Sequence, residues 1–197
     1  MSGNIAIGIQ DFSTIIQGNY FYIDKTPFIK EWWDCGDSAT LITRPHRFGK
    51  TLTMSMVEQF FSIDYAGRSD LFEHLAIWKE EKYRELQGTY PVISLSFARI
   101  KERDYEKTKQ KMCEVLRNIY IKFCYIKDSE KLTDADRAYY ERMLEENIKE
   151  TDATSSLYQL SDFLYRYYGK KVIILLDEYD TPCLLYTSPS PRDISGS

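Results

Sequence analysis

Gly49-Lys50-Thr51 and Asp177-Glu178 are the residues of this 197-residue chain whose types and surroundings can do chemistry together. The first group follows an apolar, strand-type run from Ala39 to Thr43 and opens a stretch of helical spacing from Thr51 to Ser62. Strand, loop and helix in that order let backbone N–H groups and a helix N-terminus converge on phosphate oxygens. The lysine then reaches terminal phosphates and the hydroxyl binds magnesium. The acidic pair ends a second apolar run, Val172 to Leu176. Asp177 stands where it can hold the magnesium shell, and Glu178 where it can polarise an attacking water. Together the two motifs supply the groups needed to hold a nucleoside triphosphate with its Mg2+.

The phosphate-loop pattern also asks for glycine five places before Gly49, and Arg44 stands there. Pro45 stiffens the turn. Arg44 and Arg47 either add charge near phosphate or pair with acids at the surface; both roles are open. The expected cofactor-binding stretch is Arg44, Pro45, His46, Arg47, Phe48, Gly49, Lys50 and Thr51, with Thr51 and Asp177 as metal ligands and Glu178 and Lys50 in catalysis. An isolated Asp177-Glu178-Tyr179-Asp180 is equally a strand end running into an acidic turn; the upstream Gly49-Lys50-Thr51 is what favours the nucleotide reading.

The elements that must carry these groups alternate. Asn19 to Ile23 is aromatic and β-branched, and Asp24 or Thr26 can cap a short helix with Pro27 in its first turn, ending at Cys35-Gly36. Pro91 to Phe97 suits a second strand. A helix is expected over about 104–127, with Met112, Leu116, Ile119, Phe123 and Ile126 as its apolar stripe and Lys107, Lys109, Lys111, Arg117 and Lys122 on a solvated face. Asp134 to Glu150 reads as a surface helix. Ser155 or Ser156 is expected to cap another that stops at Gly169. Strands that are nearly all apolar, alternating with helices, predict an α/β fold with a parallel sheet covered on both faces.

A formal charge of −4 argues against a wholesale polyanion-coating surface. No basic-then-apolar leader opens the chain and its apolar runs fall far below the roughly 20 residues of a spanning helix, so the expectation is a cytoplasmic protein with no membrane partner. The four cysteines show no C-x-x-C spacing, and with only His46 and His74 no zinc set forms. The 16 tyrosines read as amphipathic packing residues. From Cys183 to Asp193 the composition turns to a Ser/Pro run that, back-translated, resembles a transposase-type sequencing adaptor read in frame. Residues 1–182 are therefore expected to be the natural, incomplete domain and 183–197 a non-native tail.

At these same residues the chain resembles the bacterial AAA-ATPase-like proteins, P-loop ATPases whose longer members often carry a C-terminal nuclease-like domain of the PD-(D/E)XK type. The matching pieces are Gly8-Ile9-Gln10-Asp11-Phe12, Tyr22-Ile23-Asp24-Lys25-Thr26, Arg44 through Thr51, Pro91 through Phe97, and Leu176 through Pro182. The resemblance implies a P-loop NTPase three-layer sandwich with a mainly parallel sheet, truncated here after the Walker B strand that ends in Asp177-Glu178. It makes residues 44–51 the Walker A loop, accounts for Arg44-Pro45 at its start, and leaves His46 where the family more often has arginine. It also implies that the Tyr22 to Thr26 region lies beside the adenine, unless that region is simply a structural corner. A missing nuclease-like domain would bring nucleic acid as a partner. The leading expectation is an ATPase fragment unlikely to be active alone. A nucleotide sensor without turnover and a nucleic-acid-associated scaffold are the alternatives, and oligomeric state stays open.

Overall fold

The computed structural model describes residues 8–42, 49–100, 102 and 104–179. Its architecture is α/β, in two compact units that divide between Val92 and Ile93.

In the first unit, helix α1 (Phe12–Gln17) is capped by Asp11, whose carboxylate accepts from the Thr14 N–H at 2.7 Å. Helix α2 (Pro27–Cys35) has proline at its first position, where a missing N–H costs nothing, and stops at Gly36 in the left-handed region, φ 67°. Helix α3 (Lys50–Phe61) is followed by three short 3-10 turns and by the single turn α4 (Glu81–Arg84). These pieces bury Phe12, Ile29, Met56, Phe60, Phe61 and Phe72 completely. Phe72 lies 5.1 Å from both Phe12 and Phe60, ring centroid to ring centroid.

Two polar links dock α1 on α3: the Phe12 N–H donates to Ser55 Oγ at 3.0 Å and Gln59 Nε2 to Asp11 Oδ2 at 2.7 Å. The far end of α3 is pinned where Gly88 N–H donates to Phe60 O and Tyr90 N–H to Phe61 O, both at 2.8 Å. Gly88 has φ 66°, and a Cβ there would meet Ala66 Cα at 2.5 Å, so only glycine fits that approach.

The expected strand from Ala39 to Thr43 is not found over its described part. Residues 39–42 form no strand, and 39–41 are exposed. An apolar run becomes a strand only where a neighbour takes its backbone hydrogen bonds, and residues 39–42 have no ladder partner among the described residues. Thr43 lies outside the described residues.

The second unit carries strand β1 (Val92–Ser96), all but its first residue, helices α5 (Tyr105–Lys122), α6 (Asp134–Leu144) and α7 (Glu150–Tyr168), and strand β2 (Ile173–Asp177). β1 and β2 form a small parallel sheet among the described residues, and the Phe97 N–H donates to Asp177 O at 3.0 Å. The three helices close around Leu116, Ile119, Tyr120, Tyr140, Met143, Leu160, Phe163 and Leu164. Buried tyrosines satisfy their hydroxyls on main-chain carbonyls: Tyr120 donates to Ser156 O at 2.8 Å and Tyr140 to Tyr120 O at 2.7 Å. Burial pushes both phenols well above their usual value.

Four details depart from the sequence expectation. The surface helix expected from Asp134 to Glu150 stops at Leu144, a new helix starts at Glu150, and Tyr140 and Met143 are fully buried. Cys113 is buried and Met112 is 36% exposed, so the α5 stripe runs one residue over at that turn. Ser155 and Ser156 sit inside α7, which begins at Glu150; their hydroxyls bond carbonyls of the preceding turn, a role serine takes as readily as capping. In β2, Ile174 and Leu176 are 41% and 40% exposed, so this strand is half-covered among the described residues rather than buried on both faces.

Candidate functional site

The first half of the candidate site is the head of α3. Gly49 is its N-cap, with φ 77° and ψ 27°, a conformation glycine adopts without penalty. Lys50 is the first helical residue and Thr51 the second; both are half-buried. The first turn closes where the Thr53 N–H donates to Gly49 O at 2.9 Å, with Thr53 Oγ1 on the same oxygen at 2.9 Å. Gly49 itself has no side chain to cap this end, and no acidic residue occupies the first turn. The positive end of a 12-residue helix suits an anion. Arg44, Pro45, His46, Arg47 and Phe48 lie outside the described residues.

The second half is the end of β2. Asp177 is 7% exposed. Glu178 follows with φ 53°, one of two non-glycine residues described in the left-handed region. A bulky acidic residue pays about 1–2 kcal/mol to sit there, and such outliers persist where the surroundings impose them. Lys50 and Thr51 belong to the first unit, Asp177 and Glu178 to the second.

Among the described residues no group of three or more His, Cys, Asp or Glu side chains could hold a metal ion.

The Tyr22 to Thr26 segment is a worked corner. Asp24 Oδ1 accepts from Thr26 N at 2.8 Å and Thr26 Oγ1 at 2.7 Å, while Oδ2 accepts from Ala76 N at 2.7 Å. Thr26 Oγ1 in turn accepts from Ile77 N at 3.1 Å. The Tyr22 hydroxyl donates to Met56 Sδ at 3.3 Å and accepts from Lys25 N; burial pushes that phenol up to about 12. Asp24 and Thr26, expected as caps of α2, thus tie the corner to Ala76 and Ile77; Thr26 is the N-cap by position but makes no side-chain cap bond. Lys25, between them, carries its ammonium to Gly49. The resemblance put the Tyr22 to Thr26 region beside the adenine, but no role was expected of Lys25 itself, since nothing in Asp24-Lys25-Thr26 signals a contact that tertiary folding alone makes.

The lysines of α5 are solvated, as expected, and two pair with acids: Lys109 with Glu150 at 2.9 Å and Lys111 with Glu114 at 2.8 Å. Arg117 Nε donates to Leu144 O at the end of α6. Among the described residues no helix is long and apolar enough to cross a membrane.

Comparison with known proteins places these features in context. The chain is 28% identical over 181 residues to an uncharacterized protein in the vnfD 5' region of Azotobacter chroococcum mcd 1; the match covers 91% of this chain and 30% of that protein. The chain thus spans less than a third of the curated relative it matches. No solved structure matches it. A family model described as Predicted AAA-ATPase matches residues 6–193, which contain both motifs, and the chain belongs to that AAA-ATPase-like family.

Proposed function

We propose that this chain carries the two halves of an ATP site and, within a complete P-loop NTPase three-layer sandwich, hydrolyses ATP. The observation that carries the reading is the head of α3: a left-handed Gly49 N-cap, Lys50 as first residue, and a first turn without an acidic residue. Such an end is built for phosphate oxygens. Family membership supports the nucleotide over other anions.

The Lys50 ammonium would bind terminal phosphate oxygens, and the expected loop from Arg44 to Gly49 would offer them backbone N–H groups from every residue but Pro45, which has none. The Thr51 hydroxyl and the Asp177 carboxylate hold the magnesium ion, which neutralises charge on the phosphates when bound. Glu178 accepts a proton from, and orients, the attacking water. Arg44 and Arg47 add positive charge along the loop. Ile23, 67% exposed in a corner whose other side chains face inward, is the residue of the Tyr22 to Thr26 segment that offers an apolar surface to a base. Nucleic acid enters the proposal only through a C-terminal nuclease-like domain of the kind that the family resemblance implies.

Substituting Glu178→Gln in the full-length protein tests the hydrolytic part. Phosphate release is expected to vanish with ATP binding retained. Undiminished release refutes Glu178 as the water-positioning group, and no release from the unsubstituted protein leaves a nucleotide sensor as the correct description.

A further inference from the structure

The corner before α2 commits its neighbouring side chains to structure and sends one to the head of α3. Tyr22, Asp24 and Thr26 are held by Met56, Ala76 and Ile77, whereas a Cβ built on Gly49 would lie 2.8 Å from Lys25 Nζ. Lys30, Lys82, Lys109 and Lys111 each pair with a carboxylate. Lys25 has no carboxylate partner among the described residues.

That placement is electrostatically adverse in the empty protein. An ammonium is disfavoured at the positive end of a helix, and the first turn of α3, which opens with Lys50, holds no acid to offset it. The side chain of a lysine is long and flexible enough to swing into water if nothing favoured this position. An anion at the same place reverses the sign of every one of these interactions. The corner that aims Lys25 is fixed by Asp24 and Thr26 independently of any ligand, so the cation is pre-positioned rather than recruited.

Resting on the nucleotide reading above, we infer that Lys25 is a second phosphate-binding lysine, which joins Lys50 in holding the polyphosphate of a nucleoside triphosphate at the head of α3. Gly49 is then required twice, for its left-handed backbone and because a side chain there would displace Lys25.

The test measures ATP affinity by titration calorimetry, and melting temperature without nucleotide, for the full-length protein and its Lys25→Ala, Lys25→Arg and Lys50→Ala variants. Lys25→Ala is expected to weaken ATP binding at least fivefold, and Lys25→Arg to restore it to within threefold. The nucleotide-free melting temperature of Lys25→Ala is expected to stay unchanged or rise, because removing a repelled charge costs the empty protein nothing. A weakening of less than fivefold in Lys25→Ala, with Lys50→Ala still defective, overturns the Lys25 role and leaves the ATP site standing. A lowered nucleotide-free melting temperature with affinity intact overturns it in favour of a structural lysine. Absence of ATP binding in the unsubstituted protein overturns both.

Discussion

Asp24→Ala removes the acceptor on which the Tyr22 to Thr26 corner depends. Its carboxylate takes three donors, Thr26 N at 2.8 Å, Thr26 Oγ1 at 2.7 Å and Ala76 N at 2.7 Å, the last from a residue 52 positions away. The two local donors can turn to water. The Ala76 N–H is part of a half-buried junction and loses a charge-assisted bond, at about 1.5–3 kcal/mol. Allowing about 1 kcal/mol for the two local bonds together, the first unit loses about 3 kcal/mol. With a urea slope near 1.5 kcal/mol/M for a unit of this size, the unfolding midpoint falls by about 2 M. Trp32, Trp33 and Trp78 are all the tryptophans in the chain and all lie in the first unit, so tryptophan fluorescence reads this transition selectively. Asp24→Asn is the sharper variant. Both oxygens accept in the native corner, so an amide must turn its NH2 toward one donor, and the loss is expected to approach that of alanine. An Asp24→Asn protein with the unsubstituted midpoint would refute the two-sided carboxylate staple. ATP affinity is expected to fall as well, since the corner aims Lys25.

Glu178→Gly relieves about 1 kcal/mol of left-handed backbone cost, part of which returns as unfolded-chain entropy. The second unit is therefore expected to unfold, by far-UV circular dichroism in urea, at equal or slightly higher denaturant, while hydrolysis is lost; destabilisation by more than about 1 kcal/mol would show that Glu178 is held by contacts rather than imposed by the turn. Asp136 is drawn down to about 2 by its hydrogen bond from Arg166 and by those from Thr133. The native carboxylate lies below the unfolded value near 3.9, so the unfolded chain binds more protons and stability falls as pH drops from about 4 to about 2. Asp136→Asn is expected to flatten the dependence of the urea midpoint on pH in that window; an unaltered slope assigns the acid sensitivity to other carboxylates.

The parts of the fold legible in the sequence are those fixed by a few adjacent residues. Gly36 and Gly169 stop their helices in the left-handed region, Pro27 opens α2, and the apolar run after Pro91 becomes β1. Lys50 begins its helix within one residue of the expected start. What was not legible depends on partners elsewhere in the chain. Ala39 to Ile42 has strand-type residues but no ladder partner among those described. Ser155 and Ser156 have hydroxyls that cap or back-bond with similar ease, and the choice fell to the turn before them. Met112 and Cys113 exchange places because one apolar residue per turn suffices and the neighbouring helices select which. Lys25 points at Gly49 only because Asp24 and Thr26 reach the backbone at Ala76 and Ile77, residues some 50 positions on. That a helix opens at Gly49-Lys50-Thr51 and a strand ends at Asp177 could be read from spacing, whereas the approach of the Lys25 ammonium to Gly49 could not.

Calorimetric titration of Mg-ATP into the full-length protein and its Lys50→Ala variant tests the central claim most directly. Saturable one-to-one binding is expected in the former, weakened at least ~100-fold in the latter, the equivalent of about 3 kcal/mol of charge-assisted contacts. Equal affinity in the two proteins, or no binding in either, would contradict the assignment of the α3 N-terminus as a phosphate site.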